Sequence, residues 1–90
     1  MSEAQKAKRP RRYVFDGEAA LMARLRKGWT QKDVMRECER LGIPVVDDSN
    51  LAQYERGKLT PRPQTLHSLA TVLGVPVDEL VSPRSEDSAA

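Results

Sequence analysis

The chain has 90 residues and is poor in the residues that make covalent cross-links, metal sites and membrane spans. Cys38 is the only cysteine, so no disulfide can form within the chain, which is typical of the reducing cytoplasm. His67 is the only histidine, and a lone histidine makes no metal site. No apolar run approaches membrane-spanning length, and the polar N-terminus lacks the apolar core of a signal peptide. We therefore expect a cytoplasmic protein with no membrane partner and no cofactor.

Motifs of enzymes are also lacking. The chain has no paired catalytic carboxylate motif and no glycine loop of the kind that cradles phosphates. Cys38 is not part of a recognisable nucleophile motif with His and with Asp or Asn. Its helical spacing predicts that it is a small buried hydrophobic residue. The sequence therefore predicts a protein that is not an enzyme.

Positive charge is concentrated at the N-terminus. The net charge is +2, yet residues 13–82 hold nine basic and ten acidic residues, whereas residues 1–12 hold five basic and one acidic. We predict a disordered basic arm over 1–12, one domain over 13–81 and a flexible tail over 82–90. The arm is either a solubilising tail or a segment that contacts DNA phosphates or a minor groove. Its candidate DNA-contacting residues are Lys8, Arg9, Arg11 and Arg12.

Apolar spacing and capping residues predict five helices, over 16–27, 30–42, 48–56, about 63–74 and a short stretch after Pro76. Tyr13-Val14-Phe15 is too short to predict a strand. Trp29 is expected to fold over the first helix as a core residue. The last helix carries the apolar residues Val77, Leu80 and Val81. The residues expected to be buried are Leu21, Met22 and Leu25 on the first helix, Val34, Cys38 and Leu41 on the second, Leu51 and Tyr54 on the third, and Leu66, Leu69, Ala70 and Leu73 on the fourth.

The third predicted helix organises the rest of the chain. Asp47 stands at an N-cap position and Gly57 where a helix ends. Leu51 and Tyr54 are three residues apart, so they share one face, which is the only large apolar face of this helix. Small and polar residues occupy the other side, so the helix is predicted to present that side to a partner: Ser49, Ala52, Gln53 and Arg56.

Three segments together resemble the Xre/Cro/CI-type helix-turn-helix family. The likeness covers about residues 17–81 and implies an all-α, five-helix, lambda-repressor-like DNA-binding domain. Helices 2 and 3 would form the helix-turn-helix, with helix 3 in the DNA major groove. The segments are Trp29-Thr30-Gln31, Leu51 to Lys58, and Leu69-Ala70 with Leu73 to Leu80.

The resemblance implies a role for individual residues. Gln53 matches a frequent base-reading position, and a glutamine amide can bind adenine through two hydrogen bonds. Arg24 and Glu55 match a structural pair between helices 1 and 3. Gln31 matches a glutamine that bonds a backbone phosphate and braces helix 3. The base-reading candidates are Asp48, Ser49, Asn50, Ala52 and Gln53. The candidates for DNA-backbone contacts are Gln31, Lys32, Arg56, Lys58 and Arg62.

The sequence departs from the family pattern in two ways. Helix 2 and the connection that follows it are longer than usual, so the turn is not the tight form. Asp47 and Asp48 add negative charge beside the expected groove, where they would repel phosphates, although Asp48 could accept a hydrogen bond from a cytosine amino group.

The resemblance implies a sequence-specific DNA-binding transcriptional regulator, a repressor that blocks promoter access, with double-stranded DNA as its partner. Two alternatives stay open: an antitoxin-like protein that binds a toxin and represses its own promoter, and an interaction module that has lost DNA binding. A homodimer through Leu80 and Val81 is a further expectation, although closure of the core explains these apolar residues equally well.

Overall fold

The computed structural model describes residues 13–83, which form four α-helices, one turn of 3-10 helix and a two-stranded sheet. The all-α, five-helix prediction is therefore corrected in two respects: a small sheet is present, and the expected fifth helix is a single 3-10 turn. In chain order the elements are β1 (Tyr13–Phe15), α1 (Gly17–Arg26), α2 (Gln31–Leu41), α3 (Asp48–Glu55), α4 (Pro63–Leu73), the 3-10 helix (Val77–Glu79) and β2 (Val81–Pro83).

The sheet joins the two ends of the described chain. β1 and β2 are antiparallel, with Tyr13 opposite Pro83 and Phe15 opposite Val81. The Asp16 N–H donates to the Leu80 carbonyl at 2.7 Å and extends the contact by one residue. The sequence did not predict these strands because three residues are too few to show an alternating pattern. Ser82 and Pro83, which were predicted to lie in the flexible tail, belong to β2.

Capping residues set the helix boundaries, as predicted. The Asp16 side chain caps α1, Thr30 and Asp33 form a reciprocal capping box on α2, and the Asp47 side chain caps α3. Gly42 ends α2 in the left-handed conformation at φ +72°. These boundaries fix the short helix α3 in the chain between two longer ones.

The core is centred on α4, whose predicted seam is buried throughout. Leu80 is also buried, so it closes the core and offers no surface for the symmetric dimer contact considered above. Val81 is half-buried and packs against the same core. Among the described residues, no helix is both long and apolar enough to cross a membrane.

The predicted core stripe of α1 is wrong. Met22 and Leu25 are 47% and 53% exposed, whereas Ala20 and Ala23 face the core. The physical reason is close packing, because α1 lies against its neighbours through its small residues and its larger side chains are left outside. Other predicted core residues are also less buried than expected: Leu21 and Trp29 are half-buried, and Leu41 is exposed.

Candidate nucleic-acid interface

Helices α2 and α3 and the turn between them form a helix-turn-helix. The turn spans residues 42–47 and is longer than the usual three or four residues, as the sequence predicts. Val46 is buried in the core and Ile43 packs against it, so the long turn is anchored in its middle. Cys38 on α2 is buried beside this turn, and burial raises the pKa of its thiol, as is usual for structural cysteines.

Two buried residues set the rotation of α3 about its axis. Leu51 and Tyr54 are both buried, and the Tyr54 ring meets Phe15 of β1 edge-on with 6.2 Å between ring centroids. Because these residues point inward, the opposite side of α3 faces solvent. Ser49 is exposed on that side, and Ala52 and Gln53 are half-buried there. The structure thus gives α3 one inward and one outward face, in agreement with the sequence pattern.

The C-terminal end of α3 touches α1 through backbone. Gly17 begins α1, and a Cβ added to it would overlap the Tyr54 carbonyl oxygen and lie 2.7 Å from that of Glu55. Only glycine allows this approach without a shift of one helix. This contact therefore fixes the position of the C-terminal end of α3 relative to the start of α1.

Glu55 is held at the same end by three hydrogen bonds. Arg24 of α1 donates through Nε at 2.7 Å and through Nη2 at 2.9 Å, and Gln31 of α2 donates its amide at 2.9 Å. Arg24 also donates to the Trp29 carbonyl at 2.9 Å. The Arg24 and Glu55 side chains are only 11% and 6% exposed, and the hydrogen bond with Glu55 raises the pKa of Arg24. This cluster ties α1, α2 and α3 together.

The N-terminal end of α3 is held by exposed contacts. The Asp47 carboxylate accepts from the Ser49 N–H at 3.1 Å and from the Ser49 hydroxyl. These hydrogen bonds, first that of the Ser49 hydroxyl, lower the pKa of Asp47, and the charge of Lys32 adds a smaller effect in the same direction. Lys32 of α2 forms an ion pair with Asp48, with Nζ and Oδ2 3.3 Å apart.

The structure brings together most of the residues that the resemblance singled out. Asp48, Ser49, Asn50, Ala52 and Gln53 all lie on α3, and Ala52, Gln53 and Asp48 are half-buried there. The backbone candidates Gln31 and Lys32 stand in the first turn of α2 and contact Glu55 and Asp48. Three exposed cations follow α3 in the chain: Arg56, Lys58 and Arg62, the last of which is the N-cap residue of α4. The arm residues Lys8, Arg9, Arg11 and Arg12 lie outside the described residues.

Sequence reasoning missed two contacts at this surface: those of Gly17 with α3 and of Lys32 with Asp48. A signal existed for Gly17, because glycine directly after an N-cap is a poor helix former and needs another reason to be there. The Lys32 contact depends on how α2 crosses α3, which spacing along the chain does not reveal. Within residues 13–83 no group of three or more Asp, Glu, His or Cys side chains is placed to hold a metal ion.

Comparison with known proteins agrees with this geometry. The family model described as a helix-turn-helix domain matches residues 19–82. The domains of this family are not enzymes. A solved structure titled as the hypothetical transcription factor NHTF from Neisseria is similar in fold, with a TM-score of 0.61 and 23% identity over 81% of this chain and 77% of that one. No curated protein matches the sequence. Since the family model covers most of the domain, this chain belongs to the helix-turn-helix domain family.

Proposed function

We propose that this protein is a sequence-specific regulator of transcription that binds double-stranded DNA with α3 in the major groove. The observation that carries the proposal is the outward face of α3. Its side chains are polar and small, and the helix is fixed by contacts on its inward face and at its C-terminal end. A helix presented in this way can enter a groove without losing its own packing. A small domain that only occupies DNA can regulate transcription as a repressor, because it blocks access to the promoter.

Gln53 is the central base-reading residue of this proposal. Its amide can donate to and accept from one adenine, which gives about 1–3 kcal/mol of discrimination against other bases. Ser49 and Asn50, one turn earlier, would contact neighbouring bases, while Asp48 suits a cytosine amino group. Ala52 is small enough to let the helix approach the bases closely.

Phosphate contacts would come from residues around the edges of α3. Arg56 and Lys58 follow the helix, and both are exposed. The N-terminus of α4 at Arg62 has no side-chain cap, and Pro63 has no N–H, so the N–H groups of Gln64 and Thr65 would be the ones to meet a phosphate. Gln31 donates to Glu55 through its amide nitrogen, which carries a second hydrogen that can reach a phosphate.

The basic arm would supply the charge that the domain lacks. Residues 13–83 hold nine basic and ten acidic residues, so the described domain attracts DNA only weakly by net charge. The arm joins β1, and β1 contacts the C-terminal part of α3 through Phe15 and Tyr54. That contact is on the inward face of α3, so the arm must extend around the helix to reach the proposed groove. Deletion of residues 1–12 should lower DNA affinity and flatten its dependence on salt.

The experiment that tests the proposal is selection of bound sequences from random duplex DNA, followed by binding measurements on the enriched duplex. An enriched motif is expected, and an inverted repeat with half-sites about 34 Å apart would identify a dimer on DNA. Gln53→Ala should weaken binding to that duplex by about 1–3 kcal/mol and leave unrelated DNA nearly unaffected. The exposed His67→Ala is a matched control that should change neither. Absence of any enrichment at low salt would refute the proposal.

A second candidate is an antitoxin-like or interaction protein that binds another protein. The exposed Met22 and Leu25 favour it, because they are adjacent apolar side chains on one face of α1. Asp47 and Asp48 beside the outward face of α3 favour the variant that no longer binds DNA. Co-purification with the product of a neighbouring toxin gene, abolished by Leu25→Glu, would support this candidate.

A further inference from the structure

Lys32 occupies an unusual place for a cation. It is the second residue of α2, where the partial positive charge of a helix N-terminus disfavours a lysine. Its partner Asp48 is the first residue of α3, where the same effect favours a carboxylate. The two side chains are 59% and 31% exposed, so both reach the protein surface beside the first turn of α3. The position is therefore poor for helix stability and well suited to contact with an anion.

In the unbound protein, two carboxylates already lie near the Lys32 ammonium group. Asp48 is 3.3 Å away, and the charge of Lys32 is also felt at Asp47, whose pKa it helps to lower. Asp47 is committed to the Ser49 backbone and hydroxyl as the cap of α3. Asp48 is the carboxylate that could exchange Lys32 for another donor.

We infer that Asp48 is a specificity-determining residue that withholds Lys32 from the phosphates of unrelated DNA. This inference rests on the DNA-binding function proposed above. On unrelated DNA, Lys32 can reach a phosphate only by leaving Asp48 without a partner and close to the negatively charged backbone. On a matching sequence, a cytosine amino group in the major groove donates to Asp48, and Lys32 is released to a phosphate. One base contact thereby controls one backbone contact.

The exposed ion pair is weak, so it can change the affinity for unrelated DNA only several-fold. An exposed pair contributes little to folding stability, since water and salt screen it. The effect lies in the number of phosphates that are neutralised, because each one steepens the dependence of log affinity on log salt by about 0.9. Salt dependence on matched and unrelated DNA is therefore the measurement that detects the exchange.

The experiment compares the full chain with Asp48→Asn, Lys32→Gln and the double variant on the selected duplex and on an unrelated duplex. Asp48→Asn should bind unrelated DNA several-fold more tightly and steepen that salt slope by about 0.9, which lowers the ratio of specific to unspecific affinity. Lys32→Gln alone should leave the slope on unrelated DNA unchanged, yet flatten the slope on the selected duplex. In the Asp48→Asn background, Lys32→Gln should cancel the gain on unrelated DNA.

Glu39→Gln is the matched control for the change in net charge. Glu39 is exposed on the same helix as Lys32 but about 10 Å further along its axis. Thermal unfolding of each variant shows whether it is folded at the temperature of the binding measurement. The control should give a smaller gain on unrelated DNA than Asp48→Asn, and this gain should not depend on Lys32.

Two results would overturn the inference while the proposed function stands. One is an equal loss of salt slope on both duplexes when Lys32→Gln is made in the otherwise unchanged chain. The other is a gain from Asp48→Asn no larger than that from Glu39→Gln. Failure of the unchanged chain to bind any duplex is a different result, because it would overturn the proposed function and this inference together.

Discussion

The two ends of α3 are held by different kinds of contact. At the C-terminal end, Glu55 accepts three hydrogen bonds in a nearly buried site, and Gly17 brings the backbone of α1 against that of α3. At the N-terminal end, Asp47 caps the helix locally and Lys32 pairs with Asp48 in the open. Buried contacts with α1 and α2 therefore position the C-terminal end of α3, whereas its own cap and one exposed ion pair hold the N-terminal end.

This difference has an energetic basis. A nearly buried ion pair is screened little by water, so removal of one partner leaves a charge that the protein must still accommodate. An exposed pair or cap can be replaced by water at small cost. We therefore expect substitutions at the C-terminal end to destabilise the fold, and substitutions at the N-terminal end to act mainly on α3 itself and on what it binds.

Glu55→Ala should have the largest effect on this comparison. It leaves Arg24 charged and without its carboxylate partner, and Gln31 loses the acceptor of its amide. We expect a loss of about 3 kcal/mol in the free energy of unfolding, at the lower end of the range for a fully buried pair because some water reaches Arg24. Chemical denaturation measures this quantity directly.

The control for this prediction is Glu55→Gln, which keeps the shape and one acceptor oxygen but removes the charge. It should cost clearly less than the alanine variant. Equal and small losses from both variants would show that Arg24 finds other partners, and that the C-terminal end of α3 is held mainly by apolar packing.

Gly17→Ala should come next. The added methyl group would overlap the Tyr54 carbonyl oxygen, which belongs to backbone and cannot turn aside. The gain in helix propensity, about 1 kcal/mol, offsets part of the strain, and we expect a net loss of about 2 kcal/mol in the free energy of unfolding. Gly28→Ala is the comparison variant, because Gly28 has a φ of +74° and no atom near its missing Cβ. Gly28→Ala measures the cost of a left-handed residue without a clash, whereas Gly17→Ala measures the cost of a clash without a left-handed residue.

A shift of α1 away from α3 is the alternative response to Gly17→Ala. It would be detected as unchanged stability together with weaker binding to the selected duplex. That result would weaken the contrast drawn between the two ends, since even the backbone contact at the C-terminal end would then be adjustable.

The same contrast explains what the sequence could predict. Caps and the seam of α4 are local, so residue spacing predicts them. Asp16, Thr30 and Asp47 do cap their helices, and the seam residues do face the core: Leu66, Leu69, Ala70 and Leu73. The packing of α1 through its small residues is not local, and hydrophobicity pointed instead to Leu25, which is exposed.

Long-range contacts at the candidate interface could be predicted only where a family pattern includes them. The Arg24–Glu55 pair was expected only because the sequence resembles a family that has such a pair. The Lys32–Asp48 pair was not expected, because it depends on the path of a turn longer than the family pattern. The strand pair of β1 and β2 was missed, since its members lie at opposite ends of the domain and are three residues each.

Asp47→Ala should have the smallest effect on overall stability and sharpens the comparison through its dependence on pH. The hydrogen bonds from Ser49 lower the pKa of Asp47 in the folded state, so its stabilising effect is present above the unfolded value of about 3.9 and is lost as the pH falls through the lower folded value. At neutral pH the variant should melt a few degrees lower than the unchanged chain, because α3 loses its cap. The gap in melting temperature should close as the pH approaches the folded pKa, since protonation then removes the same acceptor from the unchanged chain. A gap that stayed constant down to that pH would mean that packing rather than the charged cap holds the N-terminal end, and that both ends of α3 are positioned by the core.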